Sequence, residues 1–253
     1  MSEHFYDQLE FILETSQRDE VLITLMEHYS GETYGDYQWM KTSGGWTTPK
    51  IDTLYGSVCK KFPHLAPLSM DPGFITHLPE FFEHFSDEEI NNMDFKEVRY
   101  KLKEALGTKT MWRAAALTEQ DAQKVLKDGI QSAFLRNKEH YGSTAQHLEV
   151  NILSTYIQEL SESHFHHENR YSPFISTTGH KDIALQVAKR FLSPSRNNHL
   201  YLFELEIPVI DLLHFAPHAL RKPGKYPEYW DVDMENYVYF CIGKDEIKNV
   251  QKL

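Results

Sequence analysis

Apolar residues in this chain recur at helical spacing as far as Gly107 and gather into short runs beyond it. That change of period limits the fold classes open to the chain. Phe5, Leu9, Phe11 and Ile12, then Val21, Leu22, Leu25 and Met26, sit near helical spacing on either side of a polar break, Ser16-Gln17-Arg18-Asp19. Ser86-Asp87-Glu88-Glu89 matches a capping box, after which Phe95, Val98, Leu102 and Leu106 continue the helical pattern to Gly107. Residues 30–78 interrupt it with glycines and prolines, among them Gly31, Gly44, Pro49, Pro63 and Pro72, interleaved with Tyr34, Trp39, Trp46 and Tyr55. One long helix is excluded there, and the aromatics either line a cleft or pack as a small satellite core.

Beyond Gly107 the run Lys109–Leu117 predicts a strand, and Thr118-Glu119-Gln120-Asp121 predicts a capped helix ending at Gly129. The pattern continues with a helix over 143–161 carrying Leu148, Ile152, Leu153, Tyr156 and Leu160 on one face. A strand over 173–178, a helix over about 180–192 and a strand over 199–207 come next, then strands near 236–242 and 247–252. The expectation is an α+β chain: a mainly helical, acidic N-terminal domain over 1–107 and a mixed domain over 108–253. No internal repeat or low-complexity tract is present.

Charge narrows the function classes. Of the 253 residues, the first 100 hold 18 acidic and 7 basic side chains and so carry the whole net charge of −11. A surface of that sign repels phosphate backbones, so no nucleic-acid partner is expected. The acidic residues form a solvated face or a docking face. No run of about 18 apolar residues exists, so no membrane-spanning helix is expected. The N-terminal residues lack the basic and apolar regions of a cleaved secretory signal. Cys59 and Cys241 are too few for a disulfide framework and have no metal-ligand spacing. His164-Phe165-His166-His167-Glu168 lies among serine, asparagine and arginine residues and reads as a loop, so no metal site is expected.

Three places carry candidate chemistry. Arg113 stands alone in the apolar run Met111–Leu117. Such a guanidinium either meets an anion, for which its planar fork suits a diphosphate, or leaves the strand edge for solvent. Phe174-Ile175-Ser176-Thr177-Thr178 ends a strand in hydroxyl residues before the amphipathic helix that starts near Lys181. Those hydroxyls either point donors at a ligand or carboxylate, or cap the helix. In Asp231–Ile242, alternation places Asp233, Glu235, Tyr237 and Tyr239 on one face of an extended segment. Paired carboxylates of that kind occur at reactive sites and at wet edges.

In this order, these features resemble the mono-ADP-ribosyltransferases of the R-S-E type, the group that includes cholera-toxin-like and other arginine-directed bacterial enzymes. The resemblance rests on Arg113 in a first core strand, on Phe174–Thr178 before a helix with Ala184 and Ala188, on the strand and Ile210-Asp211-Leu212 stretch, and on a late carboxylate opening a strand. It runs from Arg113 to the last residue, a little over half the chain. It implies a fold of two small packed β-sheets with flanking helices, NAD as cosubstrate, and transfer of ADP-ribose to a side chain of a target protein with release of nicotinamide.

The resemblance also assigns roles. Arg113 would hold the diphosphate or the nicotinamide-side ribose, Ser176 would support the catalytic carboxylate, and Thr177 and Thr178 would lie near the nicotinamide. Glu235 would be the catalytic glutamate, with Asp233 nearer the acceptor. The family's Glu-x-Glu or Gln-x-Glu reads Asp233-Met234-Glu235 here, and the last member of its Ser-Thr-Ser is Thr178. A one-residue insertion would put Tyr237 in the glutamate position instead. The segment before the glutamate selects the protein substrate in this family. Here it is basic and aromatic, with Tyr226, Tyr229 and Trp230 as recognition residues or as anchors packed inward. A transferase of this kind with a private helical domain resembles the soluble effectors and toxins that bacteria deliver into host cells, which makes a host protein the expected partner. Two other functions fit the same residues: an NAD glycohydrolase with water as acceptor, and an interaction module that has lost the chemistry.

Overall fold

Helix gives way to sheet at Gly107, whose φ of 67° is a backbone state that glycine adopts without steric cost. The computed structural model describes residues 18–28, 60–71, 73–74, 77–136, 174–193, 197–213 and 235–253. Before Gly107 these residues form α1 (Arg18–His28), a 3-10 stretch (Pro63–Met70), α2 (Leu78–His84), α3 (Asp87–Asn91) and α4 (Phe95–Leu106). The predicted capping box opens α3: the Ser86 hydroxyl accepts from the Glu89 amide at 3.4 Å, and the Glu89 carboxylate accepts from the Ser86 amide at 2.8 Å. The Asp94 side chain caps α4 by accepting from the Glu97 amide at 2.9 Å. The predicted helices near residues 5–12 and 143–161 and the His164–Glu168 run lie outside the described residues.

After Gly107 come β1 (Thr108–Leu117), α5 (Glu119–Asp128), β2 (Ile130–Gln131), α6 (Ala133–Arg136), β3 (Phe174–Thr178), α7 (Lys181–Lys189), β4 (His199–Pro208), β5 (Glu235–Tyr239), β6 (Cys241–Ile242) and β7 (Ile247–Lys252). The described residues therefore mix helix and strand, with two antiparallel sheets among them: five strands in the order β5-β3-β1-β4-β7, and the pair β2-β6. Among the described residues no helix is long and apolar enough to cross a membrane. Gly129 closes α5 at φ 84°, and a Cβ there would come within 2.4 Å of the Ile242 carbonyl oxygen. The turn from α5 into β2 therefore requires glycine at this point.

The single strand expected near 236–242 is divided in the structure. Phe240 adopts a φ of 57°, its carbonyl accepts from the Ser132 amide at 2.7 Å, and Cys241 and Ile242 then pair with Gln131 and Ile130 in the second sheet. Alternation alone cannot reveal the break, because both halves are apolar and β-prone.

Strand alternation gives the main sheet two faces. On one, Met111, Ile175, Tyr201, Phe203, Leu205, Ile207 and Val238 meet Ala122 of α5 and Ile130, Leu212 and Ile242 in the core. Helix α7 lies over β1 and β3, with Ala184 and Ala188 buried.

A cluster of charges is buried beside this core. Arg18 and Asp19, read from sequence as part of a polar break, open α1 and turn their charges inward. Arg99, which is fully buried, donates from Nε to Asp71 at 2.5 Å, from Nη1 to Asp19 at 2.8 Å and from Nη2 to Asp211 at 2.8 Å. Arg18 holds the other Asp211 oxygen at 2.8 Å, reaches Glu246 at 2.6 Å and donates to the Cys241 carbonyl at 2.7 Å. Lys103 pairs with Asp19 and approaches Asp211 at 3.5 Å. The second Asp71 oxygen accepts from the Gly73 and Phe74 amides at 2.9 and 3.2 Å.

Burial acts to raise the Asp211 carboxyl, but the Arg18 and Arg99 guanidiniums and Lys103 outweigh it and hold it well below the usual carboxylate range. For Asp71, burial wins and pushes the carboxyl upward, with Arg99 opposing and Asp211 adding to the rise. Removing one partner from such a cluster leaves an uncompensated buried charge. Arg99→Met is therefore expected to lower the unfolding free energy by about 3–5 kcal/mol, read as a lower urea midpoint at unchanged slope.

Because its folded pKa is depressed, Asp211 contributes stability above its unfolded pKa of about 3.9, and that contribution is lost as pH falls through the folded value. Asp71 has the opposite sign: its folded pKa is raised, so its contribution is lost as pH rises through that value. Stability of the parent should fall on acidification below the ordinary carboxylate range. Asp211→Asn should show a shallower fall, by up to about 1.4 kcal/mol per pH unit, in urea titrations at successive pH values.

Candidate active site

The three strands that carry the candidate residues are neighbours. Strand β3 lies between β1 and β5, so Arg113, Ser176–Thr178 and Glu235 come from adjacent strands of one sheet. Each strand forms for a local reason. The run from Met111 to Leu117 supplies one apolar face for β1, Phe174 and Ile175 anchor β3 before its hydroxyl residues, and Val238 ties β5 to the core.

The β1–β3 ladder is short. Trp112↔Thr178 is its one registered pair, whereas β1 and β4 pair over the ten residues from Thr108↔Pro208 to Leu117↔His199. At the next step Arg113 spans the seam, its Nη1 donating to the Ser176 carbonyl at 2.6 Å. Arg113 and Ser176 are both half-buried. The lone arginine of the apolar run thus meets a backbone carbonyl at the seam.

Registry distributes the three hydroxyl residues over the two faces. Thr178 stands between Trp112 and Glu235 in one cross-strand row, and Ser176 stands beside Tyr237 in a row two residues on. Thr177 belongs to the intervening row with Asn236, on the core face, where it is buried and donates from its hydroxyl to the Asn236 carbonyl at 3.0 Å. The Thr178 hydroxyl accepts from the His180 amide at 3.2 Å, steadying the turn into α7. The helix-cap role expected as one possibility is not seen: the N-cap of α7 is His180 and no side chain caps it, while Thr177 and Thr178 bond main-chain groups of Asn236 and His180.

Glu235 is the first residue of β5, in register with Thr178. Tyr237, the alternative occupant of the glutamate position, is 1% exposed and packs edge-on against Phe174 with ring centres 6.0 Å apart. Tyr239 lies against the same ring at 5.0 Å. These tyrosines therefore take part in a buried aromatic group. Asp233 and the recognition residues Tyr226, Tyr229 and Trp230 lie outside the described residues.

Cys241 is buried, and burial pushes its thiol up to about 11 while Arg18 opposes the shift. At neutral pH it is a protonated, inert side chain. Among the described residues no group of histidine, cysteine and carboxylate side chains is arranged to hold a metal ion.

Arg99 and Asp211 form the centre of the buried charge cluster; sequence pattern gave Arg99 no role and Asp211 only a place in the Ile210-Asp211-Leu212 stretch. Both leave the signal that singled out Arg113. Arg99 falls on the helical stripe of Phe95, Val98, Leu102 and Leu106, and Asp211 stands inside Val209-Ile210-Asp211-Leu212-Leu213. A charge in an apolar pattern must find a partner.

No family model, curated protein or solved structure matches this chain.

The seam itself is testable. Arg113→Met removes the donor that spans β1 and β3 and leaves the Ser176 carbonyl with one bond fewer. The expected loss is about 1 kcal/mol, measured as a lower midpoint in chemical denaturation.

Proposed function

We propose that the chain transfers ADP-ribose from NAD to a side chain of a target protein, releasing nicotinamide, on an ADP-ribosyltransferase fold. The observation that carries this reading is the adjacency of β1, β3 and β5. Residues separated by more than 50 positions in sequence, Arg113, Ser176 and Glu235, stand on three neighbouring strands; Arg113, in register with Phe203 on the core face, reaches across to the main-chain carbonyl of Ser176. The half-burial of Arg113 and Ser176 also suits the substrate, because a planar donor at an accessible seam can meet a diphosphate.

The chemistry asks little of the protein beyond placement. Cleavage breaks the bond between ribose C1′ and the nicotinamide nitrogen; the bonding electrons leave with nicotinamide, and C1′ becomes oxocarbenium-like. A carboxylate from Glu235 stabilises that positive charge and holds a ribose hydroxyl. Ser176 supports the carboxylate, and Arg113 fixes the diphosphate so that the reacting carbon stays within reach. The acceptor side chain then bonds to C1′ and gives up its proton, for which Asp233 is the nearby base. Tyr226, Tyr229 and Trp230 bind the target, and a delivered effector would find that target among host proteins.

Incubation with labelled NAD and a cell lysate tests the proposal. The parent should label a protein band, and Glu235→Gln should abolish labelling while its thermal melt stays within about 1–2 °C of the parent, since an exchange of similar size removes only charge. Nicotinamide release without labelling would replace the reading by NAD hydrolysis. Absence of both activities would leave an interaction module.

A further inference from the structure

The alternation that puts Arg113 on the core face gives it polar company there. Its row runs from Phe203 of β4 through Arg113 of β1 and Thr177 of β3 to Asn236 of β5. The adjoining row, Tyr201, Ala115, Ile175 and Val238, belongs to the hydrophobic core. A polar side chain on such a face needs a partner, solvent or a ligand.

The fold answers two of the three polar residues. Arg113 donates to the Ser176 carbonyl, which holds its guanidinium at the β1–β3 seam. Thr177, buried between the other two, gives its hydroxyl proton to the Asn236 carbonyl at 3.0 Å. That bond fixes the Asn236 main chain, yet the Asn236 side-chain amide has no hydrogen-bond partner among the described residues. Asn236 is half-buried, as Arg113 is, so the row stays open to a ligand at both of its polar ends. Neighbouring strands lie about 4.8 Å apart, which sets the seam about 7 Å from β5. Two oxygens of one phosphate, each accepting a hydrogen bond of about 2.9 Å, span a gap of that size.

We infer that the Asn236 side-chain amide is a second phosphate-binding group beside Arg113, on the core face of the sheet. The amide donates to a phosphate oxygen of the dinucleotide and takes no part in bond cleavage. The identity of the ligand rests on the proposed NAD site, whereas the chemistry of the row suits a diphosphate from any source. Glu235 precedes Asn236 and opens β5, so the ribose beyond the phosphates leads past the start of that strand toward it.

Calorimetric titration of the full chain with ADP-ribose and with inorganic pyrophosphate tests the inference, at about 0.05 M and about 0.5 M salt. Asn236→Ala should weaken both ligands about tenfold at low salt. Asn236→Asp keeps the size but replaces the donor with a carboxylate that repels phosphate, so it should weaken them further. High salt should narrow the difference between the two variants, because it screens that repulsion. Asn249→Ala, at an exposed position of β7, should leave both affinities unchanged. Parent affinity for ADP-ribose in Asn236→Ala would overturn the inference and leave the NAD site standing. Equal losses in the Ala and Asp variants at both salt concentrations would overturn it too, because the residue would then act by packing. A parent that binds pyrophosphate but not ADP-ribose, with the expected order of variants, would keep the phosphate site and remove the NAD reading. Binding of neither ligand would remove both.

Discussion

The buried charges around Arg99 are the constraint on which the rest of the chain depends. Arg99 of α4 joins Asp19 of α1, Asp71 after the 3-10 stretch and Asp211 after β4, and Arg18 extends the cluster to Glu246 and the Cys241 carbonyl. Hydrophobic burial is non-directional and would tolerate many placements of short helices on a sheet. Guanidiniums with fixed forks tolerate few, because each misplaced donor leaves a buried charge uncompensated. Part of the acidic excess before residue 100 has this use: Asp19 and Asp71 both answer the buried Arg99.

The same cluster bears on the candidate site through the end of β5. Phe240 turns the chain out of the main sheet, and the Cys241 carbonyl that follows is held by Arg18. β5 is thereby limited to Glu235–Tyr239, with Glu235 at its first position opposite Thr178. On the other side, the single β1–β3 pair leaves room at the seam for the Arg113 side chain to replace continued pairing. Sites of this kind arise where a ladder is interrupted, because a continuous one leaves no backbone carbonyl for a side chain to reach.

Periodicity and capping signals made most of the local structure legible. The helix from Phe95, the strand at Lys109–Leu117, the Thr118 helix start and the strands at 173–178, 199–207 and 247–252 all agree with the structure to within a residue or two. So did the alternation that places Tyr237 and Tyr239 together, since both meet Phe174. These features depend on residues close in sequence, whose spacing states directly which side of an element is apolar. The candidate site was legible only as a set of residue types in order, because each of Arg113, Ser176 and Glu235 has an ordinary structural use when taken alone.

Sequence by itself determined the helix-then-sheet order, the caps at Ser86, Asp94 and Thr118, and the isolation of a charge at Arg113, since each follows from neighbouring residues. Tertiary structure alone decided that β3 lies between β1 and β5, that Phe240 breaks a continuous apolar run, and that Arg18 and Asp19 face inward. Those outcomes depend on partners far away along the chain: Arg18 meets Asp211 across 193 positions and Arg99 meets Asp211 across 112. No local pattern encodes such a pairing. A charge in the sequence shows that a partner is required, and only the packed fold shows which one comes within reach.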